Sequence, residues 1–211
     1  MVKKLKDRKE ILKAFAEISS WKTIKQVSKE IGLSYQPTYT YLAEFGKQGI
    51  LNHKKEGNVH LYSLNLKNKN VLREMENIEF EKSQKLMAHL DKKVSLALNE
   101  FLEDSQKNLS VRATLLFGST ARKTRAEKSD IDIFVVAGDK DEAEIKRICN
   151  TLNMKYNIKL SPVAVSLIEF RKMLIERNDF TKNLINDKII LHGSEFYFSE
   201  LIKSMEQLKW I

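Results

Sequence analysis

The chain has 211 residues, a hydrophobic fraction of 42% and a formal net charge of +9. This is enough to bury one large core or two small ones, and two domains are expected. The apolar runs reach only strand length, as in Ile131 to Ala137, and the lysine-rich start lacks the apolar core of a signal peptide. A cytoplasmic protein with no membrane partner is therefore predicted. The single Cys149 excludes an internal disulfide and a cysteine-based zinc site.

The positive charge is concentrated at the N-terminal end. Residues 1–70 contain fourteen Lys or Arg and six Asp or Glu, which is a net charge of +8, whereas residues 71–211 carry only +1. A nucleic-acid partner would account for this asymmetry, and so would a well-solvated lysine-rich surface.

Three helices are predicted in the first 50 residues. One face of the first is apolar and carries Leu5, Leu12, Phe15 and Ile18. The second begins after Thr23 as N-cap and ends at Gly32. The third begins after Ser34 and ends before Gly49. Two short strands follow, Ile50 to His53 and Val59 to Leu64, around a turn at Gly57.

This order of parts is typical of a winged helix-turn-helix, in which a short turn joins the second and third helices and a basic hairpin follows. The segment "TIKQVSKEIGLSYQPTYTYLAEFGKQGIL" also resembles that family, which implies that the third helix reads double-stranded DNA. The predicted DNA-binding residues are Tyr35, Gln36, Tyr39 and Thr40 on the third helix and Lys54 and Lys55 on the wing, together with His60. A helical protein-interaction module of the same shape is the alternative, and the local charge of +8 argues against it.

A long linking helix is predicted next, because no proline or glycine occurs from Asn70 to Lys107. Apolar residues recur there at spacings of three and four, as in a heptad seam: Met87, Leu90, Val94, Ala97 and Phe101. The seam either docks onto its own domain or pairs with a second copy of the chain, so a homodimer stays open. The predicted domains are residues 1–69, the linking helix 70–107, and residues 108–211.

Strands and helices alternate in the last part of the chain. The predicted strands are Val111 to Phe117, Ile131 to Ala137, Ile158 to Val165 and Lys188 to His192. The predicted helices are a short one after Ser119 and longer ones near Lys140 to Met154, Leu167 to Arg177 and Thr181 to Asp187. The fold class is therefore α/β, or α+β, with a small mixed sheet behind a mainly helical winged domain. The pair Gly193-Ser194 is interpreted as a turn after the last strand.

The chemistry is predicted to lie in "FGSTARKTRAEKSDIDIFVV". Alternate residues of a strand share a face, so Asp130 and Asp132 project together, and such a carboxylate pair persists if a hard cation such as Mg²⁺ lies between them. Gly118 permits a tight turn, and Ser119 then offers its hydroxyl and backbone N–H to an anion at a helix N-terminus. Arg122 lies one helical turn further on and can reach a phosphate. These groups suit a nucleoside triphosphate with its metal.

The same stretch resembles the DNA polymerase β-like nucleotidyltransferase superfamily, and its Gly-Ser, ten-residue spacing and Asp-x-Asp are similar to those of minimal nucleotidyltransferases. The segment "DFTKNLINDKIILHG" is similar to one that closes many archaeal members, and a winged helix accompanies this domain in prokaryotes. The resemblance implies that Gly118 and Ser119 hold the β- and γ-phosphates and that Asp130 and Asp132 are catalytic and bind Mg²⁺ or Mn²⁺. It also implies that ATP or another NTP donates a nucleotidyl group to a hydroxyl. In related minimal nucleotidyltransferases that hydroxyl can belong to a protein tyrosine, often in toxin–antitoxin pairs.

The sequence departs from that pattern at two places. Lys123 stands where many members have glycine, and the strand segment "YNIKLSPVAVS" lacks the third carboxylate that the family uses as metal ligand and base. Glu169 comes later and is a poor substitute. The intact Gly-Ser and Asp-x-Asp favour a nucleotidyltransferase. The missing acid favours the alternative, a transcription regulator whose degenerate transferase domain only senses nucleotide.

Overall fold

The computed structural model describes residues 9–15, 21–126 and 129–208, and it divides into two compact units, Met1–Ile78 and Glu79–Ile211. Leu5 and Ile18, which were assigned to the apolar face of the first helix, lie outside the described residues. No helix in the described part is long and apolar enough to cross a membrane.

The first unit contains a helical group followed by a small antiparallel sheet. Its elements are α1 (residues 9–14), β1 (Lys22–Thr23), α2 (Ile24–Ile31), α3 (Tyr35–Lys47), β2 (Leu51–Glu56) and β3 (Val59–Leu64). The strands are ordered β1-β3-β2, and Leu51 is paired with Leu64. The two-residue strand β1 is not predicted from the sequence, because so short a segment has no periodicity.

The limits of α2 follow from its two caps. The Thr23 hydroxyl accepts a hydrogen bond from the Gln26 N–H at 3.2 Å, and the Gln26 side chain accepts one from the Thr23 N–H at 2.8 Å, forming a capping box. Gly32 ends the helix in the left-handed conformation, with φ of 68°. Both caps agree with the prediction.

The predicted linking helix is in fact two helices, α4 (Lys69–His89) and α5 (Lys92–Asn108). No proline or glycine causes the break. Asp91 adopts the extended backbone of an N-cap residue, with φ of −51° and ψ of 140°, and its carbonyl accepts the first hydrogen bond of α5 from Ser95. The Asp91 side chain makes no capping hydrogen bond, and its Oδ2 lies 3.8 Å from Arg125 Nη1.

The second unit is built on a four-stranded mixed sheet of order β6-β5-β4-β7. After α5 its elements are β4 (Ala113–Leu116), α6 (Gly118–Ala121), β5 (Ile131–Ala137), α7 (Glu142–Tyr156), β6 (Leu160–Ser166), α8 (Leu167–Glu176), α9 (Asp179–Asp187), β7 (Ile189–His192) and α10 (Ser194–Gln207). Strands β5 and β6 are parallel, and β4 is antiparallel to both β5 and β7. The mixed α/β architecture agrees with the prediction.

The seam of α5 is buried inside its own unit. Val94 and Phe101 are almost fully inaccessible and belong to one cluster with Ile133 of β5 and Cys149 of α7, and Met87 and Leu90 pack against that cluster. Of the two options that the seam left open, docking onto its own domain or pairing with a second copy of the chain, the packing of these residues favours the first.

Helix α10 was missed, since Gly193-Ser194 was interpreted as a simple turn. Gly193 adopts φ of 78° as the N-cap, and a side chain there would overlap the backbone at Arg112. Tyr197, Leu201 and Met205 are buried at spacings of four residues, and this spacing was the available signal for a helix.

Candidate active site

The turn between β4 and α6 brings the Gly-Ser pair against β5. Gly118 has φ of 65°, and a Cβ atom there would overlap the carboxylate of Asp132. The Phe117 N–H also donates a hydrogen bond to the Asp132 carbonyl at 3.2 Å. Two features therefore require glycine at this position: the left-handed backbone and the close approach of the Asp132 carboxylate.

The two aspartates lie where β5 begins, as the alternation of the sequence predicts. Asp130 directly precedes the strand and Asp132 is its second residue, so both project from one face. Burial raises the pKa of Asp132, the negative charge of Asp130 raises it further, and Arg122 opposes the effect. A partly buried carboxylate beside a second one is a site that gains free energy from a cation.

Asp130 has two partners from the neighbouring strand region. Lys159 Nζ lies 2.7 Å from Asp130 Oδ2, and the Ser161 hydroxyl donates a hydrogen bond to the same oxygen at 3.0 Å. The hydrogen bond from Lys159 is the main reason why the pKa of Asp130 is lowered. Neither residue was identified from the sequence, because their proximity depends on the parallel register that pairs Asp132 with Ser161.

The structure explains why Glu169 does not supply a third acid. Its carboxylate accepts a hydrogen bond from the Ser166 N–H at 2.8 Å, and the Ser166 hydroxyl accepts one from the Glu169 N–H, so the pair caps α8. Within the described ranges no three His, Cys, Asp or Glu residues are grouped to hold a metal. Two carboxylates with room for substrate oxygens nevertheless fit Mg²⁺, which is usually held by one or two carboxylates and the phosphates of a nucleotide.

The two residues that follow α6 are held in specific conformations. Arg122 Nη1 donates a hydrogen bond to Asp187 Oδ2 of α9 at 3.1 Å, and both side chains are partly exposed. Because Arg122 also acts on the pKa of Asp132, its guanidinium lies within electrostatic reach of the site. Lys123 has φ of 59°, a left-handed conformation that suits glycine, which accounts for the glycine that the resemblance places there.

A basic cleft of about 620 Å³ reaches Ser129, which precedes Asp130 in the chain, and Lys159, which pairs with Asp130. It is lined by Asp91, Lys92, Lys93, Val94, Arg125, Ser129, Asn157, Ile158 and Lys159. The Arg125 side chain is only 11% exposed, and its Nε donates a hydrogen bond to the Ser129 carbonyl at 3.0 Å. The cleft therefore presents one arginine and three lysines, among them Lys159, the ion-pair partner of Asp130.

The predicted DNA-binding residues lie on the surface of the first unit. Tyr35, Gln36, Tyr39 and Thr40 are exposed on α3, and Lys54 and Lys55 are exposed on β2. The Tyr39 ring meets the His60 ring edge-on, with centroids 6.2 Å apart, so α3 and the hairpin are adjacent at this point. Lys54 Nζ lies 4.6 Å from the centroid of the Trp21 ring and 2.7 Å from Glu56 Oε1.

Comparison with known proteins identifies the second unit. The family described as "Polymerase beta, Nucleotidyltransferase" matches residues 97–196. A curated relative from Methanocaldococcus jannaschii, provisionally named protein adenylyltransferase MJ0604, is 31% identical over 98 residues, which cover 46% of this chain and 95% of the relative.

Two solved structures also match at lower similarity. The crystal structure of a toxin-antitoxin with AMP-PNP is 19% identical and covers 53% of this chain and 86% of its own, with a TM-score of 0.39. A mutant of the toxin-antitoxin MntA-HpeT is 19% identical and covers 53% of this chain and 85% of its own, with a TM-score of 0.37. On the strength of the family match and of the archaeal relative, the chain belongs to the polymerase β nucleotidyltransferase family.

Proposed function

We propose that the second unit transfers a nucleotidyl group from an NTP, with ATP as the favoured donor, to an acceptor hydroxyl. The observation that carries the proposal is the contact of the Gly118 turn with the carboxylate of Asp132. It joins a backbone suited to phosphates with an acid pair suited to a divalent cation. In this assignment Gly118 and Ser119 hold the β- and γ-phosphates, and Asp130 and Asp132 hold Mg²⁺ or Mn²⁺.

The proposed reaction is an in-line displacement at the α-phosphorus. The acceptor oxygen forms a bond to that phosphorus, the bond to the oxygen that bridges to the β-phosphate breaks, and pyrophosphate leaves with the electron pair. The hydroxyl proton passes to solvent. A divalent cation, when bound, neutralises the triphosphate and the charge that develops on the leaving oxygen. Arg122 would supply further positive charge after exchanging Asp187 for a phosphate oxygen.

A protein hydroxyl is the acceptor that we favour. The match to the archaeal relative covers 95% of that protein, and the relative carries the name of a protein adenylyltransferase. The partly buried Arg125 and the exposed lysines of the adjoining cleft would suit an acceptor segment with acidic side chains.

The test is release of pyrophosphate from α-labelled ATP with Mg²⁺ or Mn²⁺ and a panel of protein acceptors. Wild type should release pyrophosphate and label an acceptor, and Asp130→Ala and Asp132→Ala should abolish both. Ser119→Ala should cost less, because the backbone N–H groups remain. Asp139→Ala is the matched control, since this exposed aspartate lies beyond the opposite end of β5.

The second candidate is a transcription regulator whose transferase domain binds nucleotide without turnover. The observation that favours it is the absence of an acidic residue from β6. Tight binding of Mg-ATP without pyrophosphate release across the acceptor panel would select this candidate. Failure to bind any NTP would refute both.

We infer that the first unit is a winged helix-turn-helix that binds double-stranded DNA. Support comes from the three residues between α2 and α3, the exposed polar face of α3 and the exposed lysines of β2. A net charge of +8 in residues 1–70 suits a phosphate backbone.

The DNA hypothesis is tested on the full chain. Lys54→Ala combined with Lys55→Ala should weaken binding to all sequences and reduce the slope of log K against log salt by about one for each lost phosphate contact. Gln36→Ala should instead change sequence preference. Lys146→Ala combined with Lys172→Ala, two exposed lysines of the second unit, should change neither. If wild type shows no salt-dependent DNA binding, the hypothesis is wrong.

A further inference from the structure

Many enzymes that act on phosphate esters, polymerases among them, hold two divalent cations side by side in the active site. We propose that the ammonium group of Lys159 takes the place of one of the two, so that a nucleotide binds here with a single metal ion. The inference rests on the proposed function of the second unit. It concerns the residues that this chain places where the third carboxylate is missing.

The sheet itself places Lys159 beside Asp130. The Ile131 N–H donates a hydrogen bond to the Lys159 carbonyl at 2.8 Å, and the parallel register continues with Ile131 beside Leu160 and Asp132 beside Ser161. The backbone of Lys159 is therefore fixed next to that of Asp130, and its side chain needs to span only one interstrand distance to reach the carboxylate.

Asp130 Oδ2 already has two donors. Lys159 Nζ lies 2.7 Å away and Ser161 Oγ lies 3.0 Å away, and both come from the β6 side of the site. Because the two donors converge on one oxygen, a metal ion would have to displace them to bind that oxygen. The other oxygen of Asp130 and the carboxylate of Asp132 remain, which is a donor set for one ion.

The net charge of the site also favours a single bound metal ion. A third carboxylate on β6 would give the site three negative charges, whereas Asp130, Asp132 and Lys159 together carry one. The difference equals the charge of one divalent cation. A second ion would also lie close to an ammonium group of the same sign, which disfavours its binding.

An ordinary surface ion pair is the competing explanation, because Lys159 is 67% exposed and Asp130 is 39% exposed. Such a pair would open when metal arrives and would not change the number of bound ions. The two explanations therefore differ for a variant that gains a carboxylate beside Asp130 and keeps Lys159: the inference gives one bound ion, and an ordinary ion pair gives two.

The experiment measures Mn²⁺ bound to the full chain with a non-hydrolysable ATP analogue, by electron paramagnetic resonance. Wild type should bind one Mn²⁺ per chain. Ser161→Asp, which adds a carboxylate beside Asp130 and keeps Lys159, should also bind one. Lys159→Ala combined with Ser161→Asp should bind two, with the magnetic coupling of a close Mn²⁺ pair. Lys155→Ala is the matched control, since Lys155 makes an ion pair of the same 2.7 Å length with Glu100 away from the site, and it should bind one.

Two Mn²⁺ ions in the wild type or in Ser161→Asp would overturn the inference and leave the proposed function intact. A wild type that binds neither the analogue nor Mn²⁺ would overturn both. If the double variant fails to fold, as judged by circular dichroism, the counts for wild type and Ser161→Asp still decide. A folded double variant that binds only one ion would also count against the role of Lys159.

Discussion

Replacing Gly118 by alanine should destabilise the second unit modestly and weaken its binding of Mg-ATP strongly. Gly118 has φ of 65°, and a residue with a Cβ atom pays about 1–2 kcal/mol in the left-handed region. The new Cβ also overlaps the carboxylate of Asp132, which must rotate away. Losing one contact of a charged group costs about 1.5–3 kcal/mol, which corresponds to binding weakened by about 10- to 100-fold.

Gly57 provides a control that separates strain from the clash. It has φ of 59° in the β2–β3 turn of the first unit, and a Cβ there would meet no atom within 4 Å. Urea unfolding and calorimetric titration with an ATP analogue would compare the two variants. Gly57→Ala should lose about 1 kcal/mol of stability and keep full nucleotide affinity. If Gly118→Ala binds Mg-ATP as tightly as wild type, the turn does not position Asp132 and the argument is refuted.

Three further changes test the electrostatics and backbone of the second unit. Lys123→Gly should raise the free energy of unfolding in urea by up to about 1 kcal/mol, because φ of 59° suits glycine. Asp132→Asn should raise the melting temperature of the metal-free protein at pH 7, because the fold raises the pKa of Asp132 and disfavours its charged form. The gain should vanish below about pH 4, where Asp132 is protonated in the folded and in the unfolded chain. Glu200→Gln should cost about 1.5–3 kcal/mol in urea, because the buried carboxylate accepts hydrogen bonds from Arg171 at 2.6 Å and Lys203 at 2.7 Å. Those partners lower the pKa of Glu200. The stabilisation is therefore fully present at pH values above the ordinary glutamate pKa, near 4, and is lost as the pH falls further.

Local signals predicted much of the fold. The apolar run from Ile131 to Ala137 has the same limits as β5, and Thr23 and Gly32 cap α2 as expected. The Gly-Ser turn and the Asp-x-Asp were predicted to act together, and the antiparallel pairing of β4 with β5 makes them neighbours. Residues close in sequence were therefore sufficient for this half of the site.

The other half depends on contacts that sequence spacing does not reveal. Lys159 and Ser161 reach Asp130 only because β6 pairs in parallel with β5 after an intervening helix. The two strand sequences alone do not show which of their residues lie side by side. Glu169 is different, because Ser166 followed three residues later by glutamate is the pattern of a capping box, which already indicates that this carboxylate is engaged.

The partial burial of Asp132, together with its neighbour Asp130, also links ligand binding to folding. A ligand that binds only the folded chain adds RT ln(1 + [L]/Kd) to its stability, about 2.7 kcal/mol at a hundredfold excess over Kd. For a chain of this size that corresponds to several degrees in melting temperature. Because the pKa of Asp132 shows that its charge is disfavoured in the fold, a cation that neutralises it removes a cost that already exists. Thermal unfolding can therefore rank nucleotides and divalent ions by their affinity for the folded chain before any acceptor is known.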